Sequence, residues 1–158
     1  MFVDWIAGQQ SHSSWHTDPK KLFEYQKITL GDTKEIIAKT RTFMNESGKA
    51  VLSTLRYFSV KKTDELLVVH DDLDLSVGVW KLDFAKGPKL HNGINSIESS
   101  NRTNEFWRLR IGVDNRGEEN RIAGETYVLQ DFTDEELVQV SANFPAMWER
   151  TQNSNNKQ

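Results

Sequence analysis

The clearest pattern of hydrophobic and polar positions lies at Leu66–His70, where four consecutive aliphatic residues precede a histidine. An apolar run this short, with no polar alternation, predicts a strand that is buried on both faces of a parallel or mixed sheet. Three carboxylates follow at once, those of Asp71, Asp72 and Asp74. Because ligands in such sheets bind beyond the carboxyl ends of the strands, Asp71 is the first candidate for a functional side chain.

The rest of the chain alternates between helical and strand-like spacing, which is typical of a single α/β domain. Helices are predicted over residues 1–7, 45–58 and 91–99. Asn45 or Ser47 would cap the second, and Asn92 or a neighbouring residue would cap the third. Ile94 and Ile97 are expected to face the core. Strands are predicted over residues 22–30, 35–39, 79–84, 106–113 and 125–129, and a hairpin-like turn at Gly31-Asp32-Thr33 joins the first two.

A last helix is predicted to begin at Thr133, since Thr133 and Glu136 have the spacing of a capping box. Its apolar stripe would consist of Leu137, Val140, Phe144 and Met147 or Trp148. Residues 151–158 are polar and lack an apolar period, so we expect a frayed tail after one domain at residues 1–150.

Composition narrows the classes of function. The 158 residues, 37% of them hydrophobic, suffice for one domain with a core. The absence of cysteine excludes a disulfide framework, a thiol nucleophile and a cysteine-ligated zinc site. No apolar stretch has the length of a membrane span or a signal peptide, so we expect a cytoplasmic protein with no membrane partner.

The net charge of −3 argues against a generally basic nucleic-acid binder, but the charge is unevenly distributed. Residues 76–116 contain seven basic and four acidic side chains, whereas residues 117–150 contain two basic and eight acidic ones. The basic part could contact a phosphate backbone. A solvated surface of mixed charge explains the same counts equally well.

The carboxylates after the buried run have two alternative interpretations. Aspartate is common where strands end, because its side chain bonds to nearby backbone, so Asp72 and Asp74 are expected to form a turn. Together with Asp71 they could also bind a divalent metal, although no EF-hand spacing follows. We expect no metal here.

Two further polar signals precede predicted helices, at Thr42–Asn45 and at His91-Asn92-Gly93. Helix N-termini expose amide donors and partial positive charge, so either could bind a carbonyl oxyanion or a phosphate. The alternative for Asn45 and for Asn92 is that each is merely a helix cap.

Four segments of the chain resemble successive signatures of the bacterial peptidyl-tRNA hydrolases, in the same order and spacing. They are TFMNESGKAV at 42–51, VVHDDLDL at 68–75, HNGINSI at 91–97 and FWRLRIGV at 106–113. Residues 2–7 and YVLQDF at 127–132 are also similar to the family, so the resemblance covers nearly the whole chain.

This resemblance implies a single-domain, three-layer α/β/α fold with a central mixed, mostly parallel sheet. It implies a cytoplasmic, monomeric esterase without cofactor or metal, which cleaves the peptide from peptidyl-tRNA and contacts the acceptor stem and 3′ end. A histidine would act as general base on water, and Asp71 would orient it. Asn45 and Asn92 would bind the substrate carbonyl and the water, and Phe43 would pack against the peptidyl or terminal-adenosine end.

The resemblance also implies contacts to tRNA phosphates. Arg110 is the first candidate, with Arg108 and three lysines as weaker ones, and His91 belongs to the same binding set. The three lysines are Lys81, Lys86 and Lys89.

The chain departs from the family pattern at three places. The N-terminal signature, with the first strand, the general-base histidine and a substrate-binding asparagine, is expected to be missing, and His12 and His16 are poor substitutes. The loop at 85–90 has fewer glycines than is usual and contains Pro88. Asp83 stands where the family often has a basic residue, a change expected to leave Arg110 untouched.

A chain of this kind could be inactive, and the alternative function is that of a non-catalytic RNA-binding member of the same fold that acts through partners.

Overall fold

The computed structural model describes residues 1–10, 14–30, 32–117 and 122–155, with side chains through residue 153. These residues form two compact units. Unit 1 consists of Met1–Thr63 and Leu90–Asn104, and unit 2 consists of Asp64–Lys89 and Glu105–Gln158. The predicted turn residue Gly31, His12 and the tail residues 156–158 lie outside the described residues.

Unit 1 contains an antiparallel sheet in the order β1 (His16–Thr17), β2 (Phe23–Leu30) and β3 (Thr33–Thr40). Aromatic and β-branched residues favour the extended backbone here, and β2 and β3 pair over their full length from Phe23↔Thr40 to Leu30↔Thr33. Helix α1 (Phe2–Gly8) precedes the sheet. The predicted N-terminal helix and the two predicted strands are therefore confirmed.

Asp18 organises the connection into β2. The sequence pattern predicted only a polar loop for this segment. The Asp18 carboxylate is 3% exposed and accepts hydrogen bonds from three backbone N–H groups. The donors are Lys20 at 2.8 Å, Leu22 at 2.5 Å and Phe23 at 2.9 Å. Burial raises the pKa of Asp18, but these donors outweigh it and hold the pKa below its ordinary value.

Two packed helices complete unit 1, α2 (Ser47–Tyr57) and α3 (Asn92–Asn101). A 3₁₀ turn at Met44–Glu46 leads into α2. Ile94 and Ile97 of α3 are buried, as predicted. The two helices approach closely at Gly48, whose N–H donates to Ser96 Oγ at 3.0 Å and whose missing side chain would meet the backbone carbonyl of Ser96.

Unit 2 contains a mixed sheet of β4 (Leu67–Ser76), β5 (Trp80–Phe84) and β6 (Trp107–Asp114). The strand order is β4-β6-β5, with β4 parallel and β5 antiparallel to β6. Strand β4 continues well past His70, so the expectation that Asp72 and Asp74 form a turn is wrong. Both are strand residues, and Asp72 is 1% exposed.

The α/β class and the mixed sheet are confirmed, but the residues that the structure describes do not form the expected central, mostly parallel sheet. The described residues instead form two three-stranded sheets. Among their strand pairs only β4 with β6 is parallel. The short connection between β2 and β3 accounts for one antiparallel pair, because short connections favour antiparallel neighbours. The pairs β1–β2 and β5–β6 are antiparallel as well, the latter across a connection that contains α3.

The C-terminal part of unit 2 is helical throughout its described elements, α4 (Gly124–Tyr127), α5 (Asp134–Ser141) and α6 (Phe144–Asn155). The predicted capping box of Thr133 and Glu136 is confirmed. The predicted single helix is two helices, since Pro145 lacks an N–H and its ring would clash with the carbonyl of Ser141 in a continuous helix. Residues 151–155 belong to α6, so the tail is not frayed there.

The strand predicted at residues 125–129 is wrong, because that segment contains α4. Tyr127 explains the difference. Its hydroxyl accepts a hydrogen bond from the backbone N–H of Asn115 at 3.0 Å, and Arg116 lies over its ring. These contacts within unit 2 override the β-propensity of the local sequence.

We expect Asp18→Asn to lower the free energy of unfolding by roughly 1–3 kcal/mol at pH 7, because the single oxygen of an amide cannot replace both carboxylate oxygens as acceptors of the three backbone N–H groups. The folded-state pKa of Asp18 lies below the unfolded value of about 3.9, so this contribution is present above that pH and is lost as pH falls through the folded-state pKa. Urea unfolding from pH 7 to pH 2.5 measures both effects. The exposed Asp32→Asn is the control, and equal stability of Asp18→Asn and wild type at pH 7 would contradict the assignment.

We expect Gly48→Ala to destabilise the protein by about 1–3 kcal/mol, because the added methyl group must displace the backbone of α3 at Ser96. Thermal unfolding measures the loss. Gly8→Ala is a matched control, since nothing lies within 4 Å of a side chain added there. If the Gly48→Ala and Gly8→Ala proteins unfold at the same temperature, α2 and α3 do not need this close approach.

Candidate active site and RNA-binding surface

In unit 1 the side chains of Asn45 and Asn92 are both exposed, and neither caps a helix. The cap position of α2 is Glu46, which makes no capping hydrogen bond through its side chain. The cap of α3 is His91, whose Nδ1 accepts from the N–H groups of Gly93 at 3.0 Å and Ile94 at 3.2 Å. The helix-cap interpretation of both asparagines is therefore wrong.

The 3₁₀ turn that contains Asn45 packs against α3, the helix that Asn92 begins. Two glycines allow this approach. Gly48 lies against the α3 backbone, and a side chain at Gly93 would touch Met44 at 3.2 Å. The structure thus brings Asn45, His91 and Asn92 to one part of unit 1, with the amide N–H groups at the start of α3.

Phe43 lies at the start of the same turn with 81% of its surface exposed. It borders a cleft of about 360 Å³, lined by Leu22, Arg41, Thr42, Phe43, Glu46 and Lys49. The cations Arg41 and Lys49 were not among the predicted site residues. Their position beside the Thr42–Asn45 motif is the signal that could have identified them, although Arg41 also donates to Glu24 at 2.7 Å.

In unit 2 the alternation of side chains along β4 separates neighbouring residues onto opposite faces of the sheet. Asp71 is paired with Ile111 and shares its face. His70 is paired with Arg110, which is paired in turn with Lys81. Asp71 therefore lies on one face, and His70, Arg110 and Lys81 lie on the other, so His70 is not the histidine that Asp71 could orient.

Arg110 is held between two carboxylates. Its Nε donates to Asp72 Oδ2 at 2.6 Å and its Nη1 donates to Asp83 Oδ2 at 3.1 Å. Burial alone would lower the pKa of Arg110, but the bonds to Asp72 and Asp83 outweigh it and raise the pKa above its ordinary value. The expectation that Asp83 leaves Arg110 untouched is wrong. With 7% of its surface accessible, Arg110 also lacks the exposure expected of a phosphate contact.

Arg108 is buried as well, at 2% exposure, with its guanidinium over the ring of Phe106. Its Nη1 donates to the carbonyl of Gly87. The exposed cations of this part of unit 2 are the three predicted lysines, Lys81 on β5 and Lys86 and Lys89 on the loop at residues 85–89.

Across the described parts of the chain, no three histidine and acidic side chains lie close enough together to hold a metal ion. None of the helices described above combines the length and the apolar character that crossing a membrane requires.

Comparisons with known proteins agree with the motifs in these units. A model of the peptidyl-tRNA hydrolase family matches residues 1–157. The peptidyl-tRNA hydrolase of Nitrosomonas europaea is 43% identical over 103 residues, which cover 65% of this chain and 51% of that protein. That of Pseudothermotoga lettingae is 41% identical over 139 residues, which cover 87% of this chain and 68% of that protein.

A similar enzyme from Proteus mirabilis is 40% identical over 126 residues, 78% of this chain and 63% of that protein. A crystal structure of peptidyl-tRNA hydrolase from Acinetobacter baumannii matches with a TM-score of 0.79 at 25% identity, covering 91% of this chain and 71% of that one. This match confirms the expected α/β architecture.

The chain spans 51–68% of the length of these three curated relatives. The family model matches from residue 1, which does not support the expectation that an N-terminal strand and histidine segment are missing. Because that model covers nearly all of the chain and the relatives are about 40% identical to it, the chain belongs to the peptidyl-tRNA hydrolase family.

Proposed function

We propose that this protein hydrolyses the ester bond between the peptide and the tRNA in peptidyl-tRNA. The observation that carries the proposal is the pair of exposed asparagines in unit 1. Asn45 and Asn92 stand in two family motifs, and neither is used as a helix cap, because Glu46 and His91 occupy those positions. Amide groups left available beside the first turn of a helix suit the recognition of a carbonyl oxygen.

In this proposal water attacks the ester carbonyl carbon while the general-base histidine that the family resemblance implies, which is not His70, takes its proton. The tetrahedral intermediate then collapses, the bond from carbon to the ribose oxygen breaks, and the histidine returns the proton to that oxygen. The products are a peptide carboxylic acid, which loses its proton to solvent at neutral pH, and a tRNA with a free hydroxyl. Asp71 would accept the other ring N–H of the histidine, fix its tautomer and stabilise its charged form.

Asn45 and Asn92 would bind the substrate carbonyl and the attacking water. A side-chain amide can donate to a developing oxyanion through its NH₂ group and accept from water through its oxygen. Such donors accelerate the reaction because they stabilise charge that is present only in the transition state. Phe43, exposed beside them, would pack against the peptidyl or terminal-adenosine end of the substrate.

The lysines of unit 2 would contact phosphates of the acceptor stem. Lys81, Lys86 and Lys89 are exposed, as such contacts require. Contacts of this kind position the RNA and carry little sequence information, which suits an enzyme that acts on many tRNAs. The proposal includes a monomeric enzyme that works in the cytoplasm without a metal or cofactor.

We expect Asp71→Asn to lower kcat on an N-acetylaminoacyl-tRNA by about 10²–10⁴, since an amide no longer stabilises the protonated histidine. Release of the labelled acyl group under saturating substrate measures kcat, and filter binding measures affinity. The exposed Glu65→Gln, near the start of β4, makes the same charge change and is the control.

A wild-type protein that binds the tRNA in a salt-dependent manner without cleaving it would overturn the hydrolase and support the non-catalytic RNA-binding alternative. Equal turnover by the Asp71→Asn and wild-type proteins would exclude the role given to Asp71.

We expect Asn45→Ala and Asn92→Ala each to lower kcat by about 10²–10³ with a smaller change in KM, because the lost donor acts mainly in the transition state. Asn95→Ala, an exposed asparagine of the same helix as Asn92, is the control and should retain wild-type turnover. If Asn95→Ala loses as much activity as Asn92→Ala, the effect belongs to the stability of α3 and the assignment of Asn92 fails.

A further inference from the structure

A cluster of four charged side chains occupies one face of the unit 2 sheet, and the proposed reaction leaves it without a role. We call this cluster the arginine clamp, and it comprises Asp72 from β4, Asp83 from β5, and Arg108 and Arg110 from β6. Asp72 and both arginines are almost fully buried. Each strand of the sheet therefore contributes at least one member.

The arginine clamp supports the loop at residues 85–89. The backbone of Gly87 has a φ of +65° and rests on the Arg110 guanidinium, so a side chain there would collide with it. The carbonyl of Gly87 accepts the hydrogen bond from Arg108. At the end of the loop, the backbone N–H of Lys89 donates to Asp74 Oδ2 at 3.0 Å. The loop is thus fixed to the sheet at two points, and Lys86 and Lys89 stay exposed.

The same contacts argue against a direct role for Arg110 in RNA binding. A phosphate would have to displace a carboxylate from a buried guanidinium, and removing one partner of a buried ion pair is strongly unfavourable. The side chain of Asp83 is 26% exposed, so its negative charge would also face the approaching phosphate.

We propose that Arg110 is a positioning residue, which Asp72 and Asp83 hold in place so that it seats the 85–89 loop and presents Lys86 and Lys89 to RNA phosphates. This inference rests on the proposed function, because it names the contacts of the same tRNA substrate. Removing a negative charge near an RNA-binding surface ordinarily strengthens RNA binding, and the inference predicts the opposite for Asp83. Asp83→Asn makes the protein more positive, and yet it should weaken tRNA binding.

The test measures the affinity of deacylated tRNA for wild type and Asp83→Asn between 50 and 300 mM KCl. Losing two phosphate contacts should reduce the slope of log K against log salt by about 2 and the affinity at 0.1 M salt by roughly tenfold to a hundredfold. Asp131→Asn is the matched control, because it removes an exposed carboxylate of unit 2 and should leave the slope unchanged.

A double-mutant cycle separates the positioning role from a general loss of structure. Lys86→Ala/Lys89→Ala should lower the slope by the same amount, and adding Asp83→Asn to it should change the slope no further. Hydrogen exchange supplies a readout that needs no RNA, since the backbone N–H of Lys89 should exchange faster in Asp83→Asn while those of β6 keep their protection.

Tighter tRNA binding by Asp83→Asn, or an unchanged slope, would overturn the inference and return Arg110 to the list of direct phosphate contacts. Additive effects of Asp83→Asn and the lysine substitutions would also overturn it. The proposed function fails in a different way, because wild type would then bind tRNA without cleaving peptidyl-tRNA or would show no salt-dependent tRNA binding at all.

Discussion

A buried guanidinium that must keep its charge paired is the constraint on which unit 2 depends. Taking Arg110 out of water costs several kcal/mol, which only close carboxylates can offset. Asp72 and Asp83 supply them at 2.6 Å and 3.1 Å, from strands on either side of β6. The order β4-β6-β5 places Arg110 between these two carboxylates, so the interaction that compensates its burial also joins the three strands.

The register of β4 also places two adjacent carboxylates, those of Asp71 and Asp72, on opposite faces of the sheet. Side chains alternate along a strand, so Asp72 faces Arg110 while Asp71 faces the side of Ile111. A shift by one residue would exchange them, so that Asp71 would face the guanidinium and Asp72 the side of Ile111. The register of β4 on β6 therefore decides which of the two carboxylates stays outside the ion pair, which makes the register itself a determinant of the proposed site.

Patterns within ten or so residues predicted much of the fold, because their causes are local. The buried faces of Ile94 and Ile97 and the capping box at Thr133 are examples. The failures have distant causes. Strand β4 continues through Asp72 because its charge is paired with a residue 38 positions away. Segment 125–129 is not a strand because Tyr127 bonds to Asn115. Asn92 is not a cap because a histidine accepts the N–H groups instead.

The pairing of the arginines also changes what the charge distribution means. The local excess of positive charge over residues 76–116 includes Arg108 and Arg110, yet both are buried and Arg110 is balanced by two carboxylates. The exposed cations of this part of unit 2 are Lys81, Lys86 and Lys89. Because exposed charges are screened beyond roughly 8 Å at physiological salt, a net charge of −3 does not prevent three lysines from attracting phosphate at short range. In the proposed complex with RNA, binding would depend on where Lys86 and Lys89 are held, and the paired Arg110 beneath their loop would provide that support.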